Sequence, residues 1–374
     1  MKAAVQITRI LVGVLFIFSG LVKANDPMGL SYKMQEFFEI WGMHALNSSS
    51  LLLSVLMNAF EIIAGFALLL GWRIRLFSWM LLLLIVFFTF LTGYTYITGT
   101  PKNCGCFGDC LPISSKTSFL KDVLLTILIS FLLWKQKWIK PLLAEKWLIG
   151  IMFAVTVFSF GFQWYTLKYM PLVDCLPFKK GNSIPEKMKM PAHAIPDSTV
   201  ISFVYKKDGK EIEFTADKFP ADFSTDTYQF VSRYDKVVRK GKNNEPPIKG
   251  FVLKGETNED STAAVLDAPR AILLFIEKFS TAGSEWKKGF EKIVTLARSK
   301  NAPVYIITAE PAKAKSEMAG TAFADGQVFS CDYKLIQTAS RTPVTVYLLE
   351  KGWIKGKWSS PCFSSAQKFI GKLP

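Results

Sequence analysis

The sequence predicts an α-helical membrane bundle followed by an α/β domain on the outer side of the membrane, with a β-rich segment between them. Three observations carry this prediction. Leu, Phe, Ile and Trp crowd roughly the first 165 positions, whereas Lys, Glu, Asp and Ser dominate afterwards, so the mean hydropathy of +0.25 averages two unlike halves. Five runs in the first half approach the ~20 mainly apolar residues that a spanning helix requires. In the second half, short β-rich runs alternate with helical periodicity. A chain of 374 residues accommodates such a division, here into a membrane domain over 1–170, a linker over 171–197, a β-rich segment over 198–267 and an α/β domain over 268–374.

The expected spans cover 5–22, 51–71, 76–97, 119–134 and 147–167. "FSGLVKAND" at the end of the first lacks a small-x-small cleavage site, so this segment reads as a retained span. Lys and Arg collect on the cytoplasmic side of short loops. With the N-terminus inside, the cytoplasmic segments hold Lys2, Arg9, Arg73, Arg75, Lys135, Lys137, Lys140 and Lys146. The opposite loops hold Lys23, Lys33, Lys102 and Lys116, among Asp26, Glu36, Glu39 and Asp109. An odd number of spans then places everything after residue 167 outside. The expected location is a bacterial inner membrane, with the lipid bilayer as first partner and the C-terminal domain in the periplasm.

The net charge of +15 does not point to nucleic acid. Much of the basic surplus in the first half flanks apolar runs, and no RNP, zinc-finger or helix-turn-helix pattern is present. With His44 and His193 as its two histidines, and without HExxH, GxSxG, P-loop or GxGxxG in a fitting context, the chain is not expected to carry a hydrolase triad, a His-rich metal site or nucleotide-phosphate chemistry.

"NCGCFGDC", residues 103–110, places three thiols within seven residues. Cys104, Cys106, Cys110 and Cys175 fall on the same expected outer face, where disulfides persist. Four thiols allow three connectivities, and three uses remain open. One or two disulfides could staple the loop to the segment after the last span. A pair could instead open and close through a mixed disulfide. Cys104-Gly105-Cys106 favours that use, because the ring closed by such a pair is small and strained disulfides are the labile ones. Thiolates could also bind a metal, although the usual Cys-x2-Cys unit is missing. Glu61, in "NAFEIIAGFALLLGW", is the other candidate, because a carboxylate inside a span is costly and faces a partner or a polar cavity. It reads either as a protonatable group beside a thiol or quinone site, or as a structural ion pair, with Lys23 a suitable partner.

"TRILVGVLFIFSGLVK", with Arg9, Gly13, Phe16, Ser19, Gly20 and Lys23, and "EIIAGFALLLG", with Glu61, Gly65 and Gly71, resemble the DoxX-like superfamily. "CGCFG" resembles its methylamine-utilisation branch, the MauE type, over residues 5–135. The resemblance implies a four-helix membrane core, to which this chain adds a fifth span. It also implies a role in forming or maintaining disulfides of an extracytoplasmic enzyme, and a possible quinone cofactor from relatives tied to quinone-linked sulfur oxidation. It implies no methylamine substrate here.

In the outer half, "PLVDCLPFKKGNSIPEKMKMPAHAIPDS" reads as a linker. "TVISFVYKKDGKEIEFTA" reads as a hairpin about Asp208-Gly209, and a further strand pair is expected at 229–239 and 248–254. Beyond these, strands are expected at 271–277 and 304–308. Helices are expected at 284–298, 311–322 and 364–371, and "RTPVTVYLLEKGWIKGKW" supplies two strands about Lys351-Gly352. That order resembles thioredoxin-like domains over residues 268–372. The resemblance makes Pro343, after Thr342, a cis proline lining a partner-binding site. The redox position, however, reads "EKFSTAGSEWKKGF", without Cys-x-x-Cys. With no thiolate at that helix N-terminus to be acidified, the domain is expected to dock a partner and not to exchange dithiols. Ser284 is the expected N-cap, and Cys331 and Cys362 are expected to be buried or bonded to each other.

The combined expectation is an inner-membrane component of periplasmic thiol-disulfide or quinone-linked redox chemistry. Cys104, Cys106, Cys110 and Cys175 would exchange electrons, Glu61 would handle a proton, and a periplasmic client or redox protein would bind the outer domain. The alternative is a non-catalytic envelope scaffold with permanent disulfides.

Overall fold

The computed structural model describes residues 1–101, 108–111, 113–196, 198–239, 241, 243–324 and 326–374. They form two compact units, Met1–Gly181 with Val252–Pro374, and Asn182–Phe251.

The larger unit begins with α1 (Lys2–Asn25), α2 (Pro27–Ile40), α3 (Ser50–Leu70), α4 (Ile74–Thr98), α5 (Ser115–Trp134) and α6 (Glu145–Tyr169). Among the described residues, five helices, α1 and α3 to α6, are long and apolar enough to cross a membrane. α1 and α3 pack closely because small residues line their contact. A Cβ built on Gly65 would lie 2.8 Å from the Gly13 carbonyl oxygen, and one on Gly20 would lie 3.0 Å from the Ile62 nitrogen. At the turn into α4, Gly71 takes φ +70 with the Lys140 carbonyl pressed against it. α2 lies where the sequence suggested only a loop. Asp26 caps it, accepting from the Gly29 N–H at 3.0 Å, and Pro27 opens its first turn. Its buried Leu30 is separated in sequence from Phe37 and Phe38 by a run that contains Lys33, Gln35 and Glu36, which hides the helical period.

After α6 this unit resumes with α8 (Thr262–Asp267), β4 (Ala271–Ile276), α9 (Phe279–Ala282), α10 (Trp286–Ser299), β5 (Val304–Thr308), α11 (Pro311–Met318), β6 (Gln327–Ser330), α12 (Tyr333–Ser340), β7 (Val344–Glu350), β8 (Trp353–Ser359) and α13 (Phe363–Gly371). The strands form one sheet in the order β6-β5-β4-β7-β8. β4 runs parallel to β5, and β5 to β6, while β7 and β8 are antiparallel to their neighbours. Ile272, Leu274 and Ile276 of β4 pack with Phe290, Ile293 and Val294 of α10 and with Phe363 and Ile370 of α13.

Four expectations are corrected. β6 and α12 were not foreseen, because β6 has only four residues and little pattern to read. The helix expected from Ser284 begins at Trp286 after Glu285, and no side chain caps it. The separate turn of α9 and Gly283 at φ +64 delay its start, leaving Ser284 to accept from the Lys287 N–H through its carbonyl. The peptide between Thr342 and Pro343 is trans, unlike the cis bond that the thioredoxin resemblance implies. Residues 248–254 form no strand beyond two isolated bridges at Lys254, to Asp260 and to Ser330.

The smaller unit holds α7 (Ile184–Lys187) and the antiparallel strands β1 (Ser198–Lys207), β2 (Lys210–Thr215) and β3 (Gln229–Arg239), in the order β2-β1-β3. The hairpin turns on Asp208 and Gly209, both at positive φ, the backbone of a tight two-residue connection. β3 pairs with β1, which leaves 248–254 without the strand partner expected for it.

Candidate functional site

Three groups of residues meet at or near one end of the helical bundle, where α1, α4 and α6 finish and α3 and α5 begin. The first is a disulfide. Gly108, at φ +58, brings the loop between α4 and α5 round to Asp109 and Cys110. Cys110 is joined to Cys175, in the segment after α6, with Cα atoms 4.9 Å apart. Cys104 and Cys106 lie outside the described residues. Among the described residues Cys331 and Cys362 are free and not bonded to each other, and burial pushes the Cys331 thiol up to about 12, which makes it a poor nucleophile.

The second group holds the sheet against this end of the bundle. Arg341 closes α12 in the left-handed region, at φ 53. It is 4% exposed, 2.9 Å from Asp26, paired also with Asp109 one residue before the bonded Cys110, and stacked over Tyr32 at 5.3 Å. Glu277, at the end of β4, accepts from Tyr32 (3.2 Å), Tyr333 (3.0 Å) and Gln337 (3.1 Å). Lys357 of β8 reaches Asp174 at 2.8 Å. Asn25 and Val173 exchange two hydrogen bonds, of 2.9 and 3.1 Å. Burial raises the Asp26 carboxyl above its ordinary range although Arg341 draws it down. Burial likewise lowers Lys357 against the pull of Asp174.

Thr342 is buried and bonded to the Val344 carbonyl and the Thr345 hydroxyl, whereas Pro343 is exposed and accepts from the Glu277 N–H at 3.1 Å through its carbonyl. Both adjoin Arg341. The strand ends named from sequence as a partner site therefore abut the contact made with the chain's own bundle.

The third group is polar and lies within the bundle. Glu61 (1% exposed) and Lys23 (2%) form an ion pair, with the Lys23 ammonium 4.8 Å from the centre of the Phe88 ring. They line a cavity of about 30 Å³ together with Ser19, Lys121 and Asp122. Asp122 pairs with Lys121 at 2.8 Å and accepts from Thr92 at 3.1 Å. Such a volume admits about two waters and not a quinone ring, so the residues around Glu61 do not fit that cofactor and no step is derived through it. Among the described residues no group of three His, Cys, Asp or Glu side chains could hold a metal ion.

Sequence reasoning named Cys110, Cys175 and Glu61 and missed Arg341, Lys121 and Asp122. Asp122 did carry a local signal, a carboxylate inside the fourth apolar run. Arg341 carried none, since its partners lie far away in the chain.

Residues 1–135 match the model of the family described as Methylamine utilisation protein MauE, and residues 199–240 match a domain of unknown function, DUF8463. No curated protein and no solved structure matches the chain. The five apolar helices and the MauE match make this a multi-pass membrane protein, with a sheet-containing region after the helices.

Proposed function

We propose that this protein carries out thiol-disulfide exchange at the periplasmic face of a bacterial inner membrane, with Cys104 and Cys106 as the exchanging pair. The Cys110–Cys175 bond is the observation that supports this most. It uses two of the four clustered cysteines to join two segments that are each fixed to the rest of the unit, Asp109 by Arg341, Val173 by Asn25 and Asp174 by Lys357, which is the position of a staple. The remaining two are a Cys-Gly-Cys pair in the same loop, the small-ring arrangement suited to reversible opening.

The exchange balances without a cofactor. A thiolate of a client dithiol attacks one sulfur of the Cys104–Cys106 disulfide and forms a mixed disulfide. The second client thiolate then displaces it, so that the client leaves oxidised and Cys104 and Cys106 hold the two electrons until a redox partner removes them. The N-terminus lies in the cytoplasm, in keeping with the Lys and Arg distribution. The sheet, read as a thioredoxin-like fold without its thiols, serves as a platform over the cysteine loop.

Replacing Cys104 or Cys106 with serine tests the reading. Oxidation of a reduced substrate peptide by membranes carrying the protein should be lost while the protein accumulates normally. Unchanged oxidation would sink it, and loss of the protein itself would favour a scaffold whose cysteines are all structural.

A further inference from the structure

We propose that Glu61, Asp122 and the buried hydroxyls of Ser118 and Thr95 form a proton path between the bundle interior and the helix ends that frame the cysteine loop. It rests on the exchange reading above, for which it supplies the proton carrier.

The path starts at an unmet need. Glu61 Oε1 is held by Lys23, but Oε2 is buried with no hydrogen-bond partner among the described residues. A buried carboxylate oxygen left in that state costs free energy unless water reaches it. The cavity that Glu61 lines, about 30 Å³, sets Ser19, Lys23, Lys121 and Asp122 among apolar side chains such as Phe16 and Phe88, and so has the volume and the few polar partners needed to hold such water. Asp122, from α5, lines the same cavity and accepts a hydrogen bond from Thr92 of α4.

Toward the cysteine loop the two helices repeat the pattern. Ser118 stands one turn before Asp122 on α5, and Thr95 one turn beyond Thr92 on α4. Both hydroxyls are buried without a hydrogen-bond partner among the described residues. A hydroxyl donates and accepts at once, so it can pass a proton along a hydrated track, which a methyl in its place cannot. Charge permits the transfer. Lys23 offsets Glu61 and Lys121 offsets Asp122, so a proton moving from one carboxylate to the other leaves the formal charge of the cavity unchanged, where a lone charge in the membrane is costly.

During exchange the path holds protons and no electrons. When the Cys104–Cys106 dithiol is reoxidised by a partner disulfide, the first thiol gives its proton to the path and forms a mixed disulfide, expelling one partner thiolate. The second thiol then gives up its proton, displaces the partner's other sulfur and closes the Cys104–Cys106 bond, and the two partner thiolates recover the two protons as the path discharges.

The test is infrared difference spectroscopy of the full chain in lipid vesicles, reduced minus oxidised, with a soluble dithiol as reductant. The variants are Asp122→Asn and the double change Lys23→Met with Glu61→Gln, which removes both charges and strands neither. A thiol S–H band should appear together with a carboxyl C=O change that is absent from the double variant and shifted in Asp122→Asn. In the latter, exchange with a disulfide-bonded peptide should slow by about tenfold or more. An S–H band with no carboxyl change overturns the path and leaves exchange standing. No S–H band overturns the exchange reading and the path with it.

Discussion

Arg341 sits buried between two carboxylates from different parts of the helical half, Asp26 at the start of α2 and Asp109 beside the bonded Cys110. Removing its charge leaves the largely buried Asp26 without its cation, while Asp109 stays in reach of water. Arg341→Gln is expected to cost about 3 kcal/mol, read as a lower melting temperature in lipid vesicles. Asp26→Asn should behave otherwise. Burial lifts the Asp26 pKa above 3.8 in the folded chain despite Arg341, so the folded state keeps this proton to higher pH than the unfolded chain. The stability tied to the group is therefore present at low pH and falls as pH rises through its raised folded value. Asparagine avoids the buried charge at pH 7 and still caps α2. The melting temperature at pH 7 should hold or rise, with a change within about 1 kcal/mol; a loss as large as that of Arg341→Gln would refute this account. Glu61 could be found from sequence because a carboxylate in an apolar run is a local anomaly. Arg341 could not, because its meaning lies in Asp109, 232 residues away.

At the level of elements, the α1 and α3 contact depends on how closely two backbones approach. Gly65 has no room for a side chain, with Gly13 O at 2.8 Å and Ile17 N at 3.0 Å from its would-be Cβ. Gly65→Val should part the helices and cost about 1–3 kcal/mol, seen as lower accumulation and earlier thermal unfolding. An unchanged melting temperature would mean that the helices do not meet there. The five spans were legible because hydropathy is a property of each segment alone, and helices α1 and α3 to α6 lie within a few residues of the expected limits. α2, β6 and α12 were not, for two reasons: a polar run separates Leu30 of α2 from Phe37 and Phe38, and β6 and α12 are short elements whose place depends on β5, β4 and β7.

For the whole molecule, the Cys110–Cys175 bond closes a chain separation of 65 residues that includes α5 and α6. No sequence pattern chose this connectivity over the other two; the fold did, by bringing the segment after α6 beside Asp109. Cys175→Ser should lower stability by about 2 to 4 kcal/mol while exchange continues. If exchange stopped in a protein that remained folded, the bond would belong to the electron path and not to the scaffold. The same bond sets an order of events during synthesis. The ribosome delivers Cys104, Cys106 and Cys110 first, and two further helices must enter the membrane before Cys175 follows. Throughout that interval the cysteines of this chain already delivered beside Cys110 are Cys104 and Cys106. The native bond is therefore the last that can form, and reaching it from an early misbonded loop takes minutes to hours when nothing catalyses the reshuffling. A loop that misbonds in that interval is therefore repaired by the same class of chemistry, thiol-disulfide exchange, that is proposed for the mature chain.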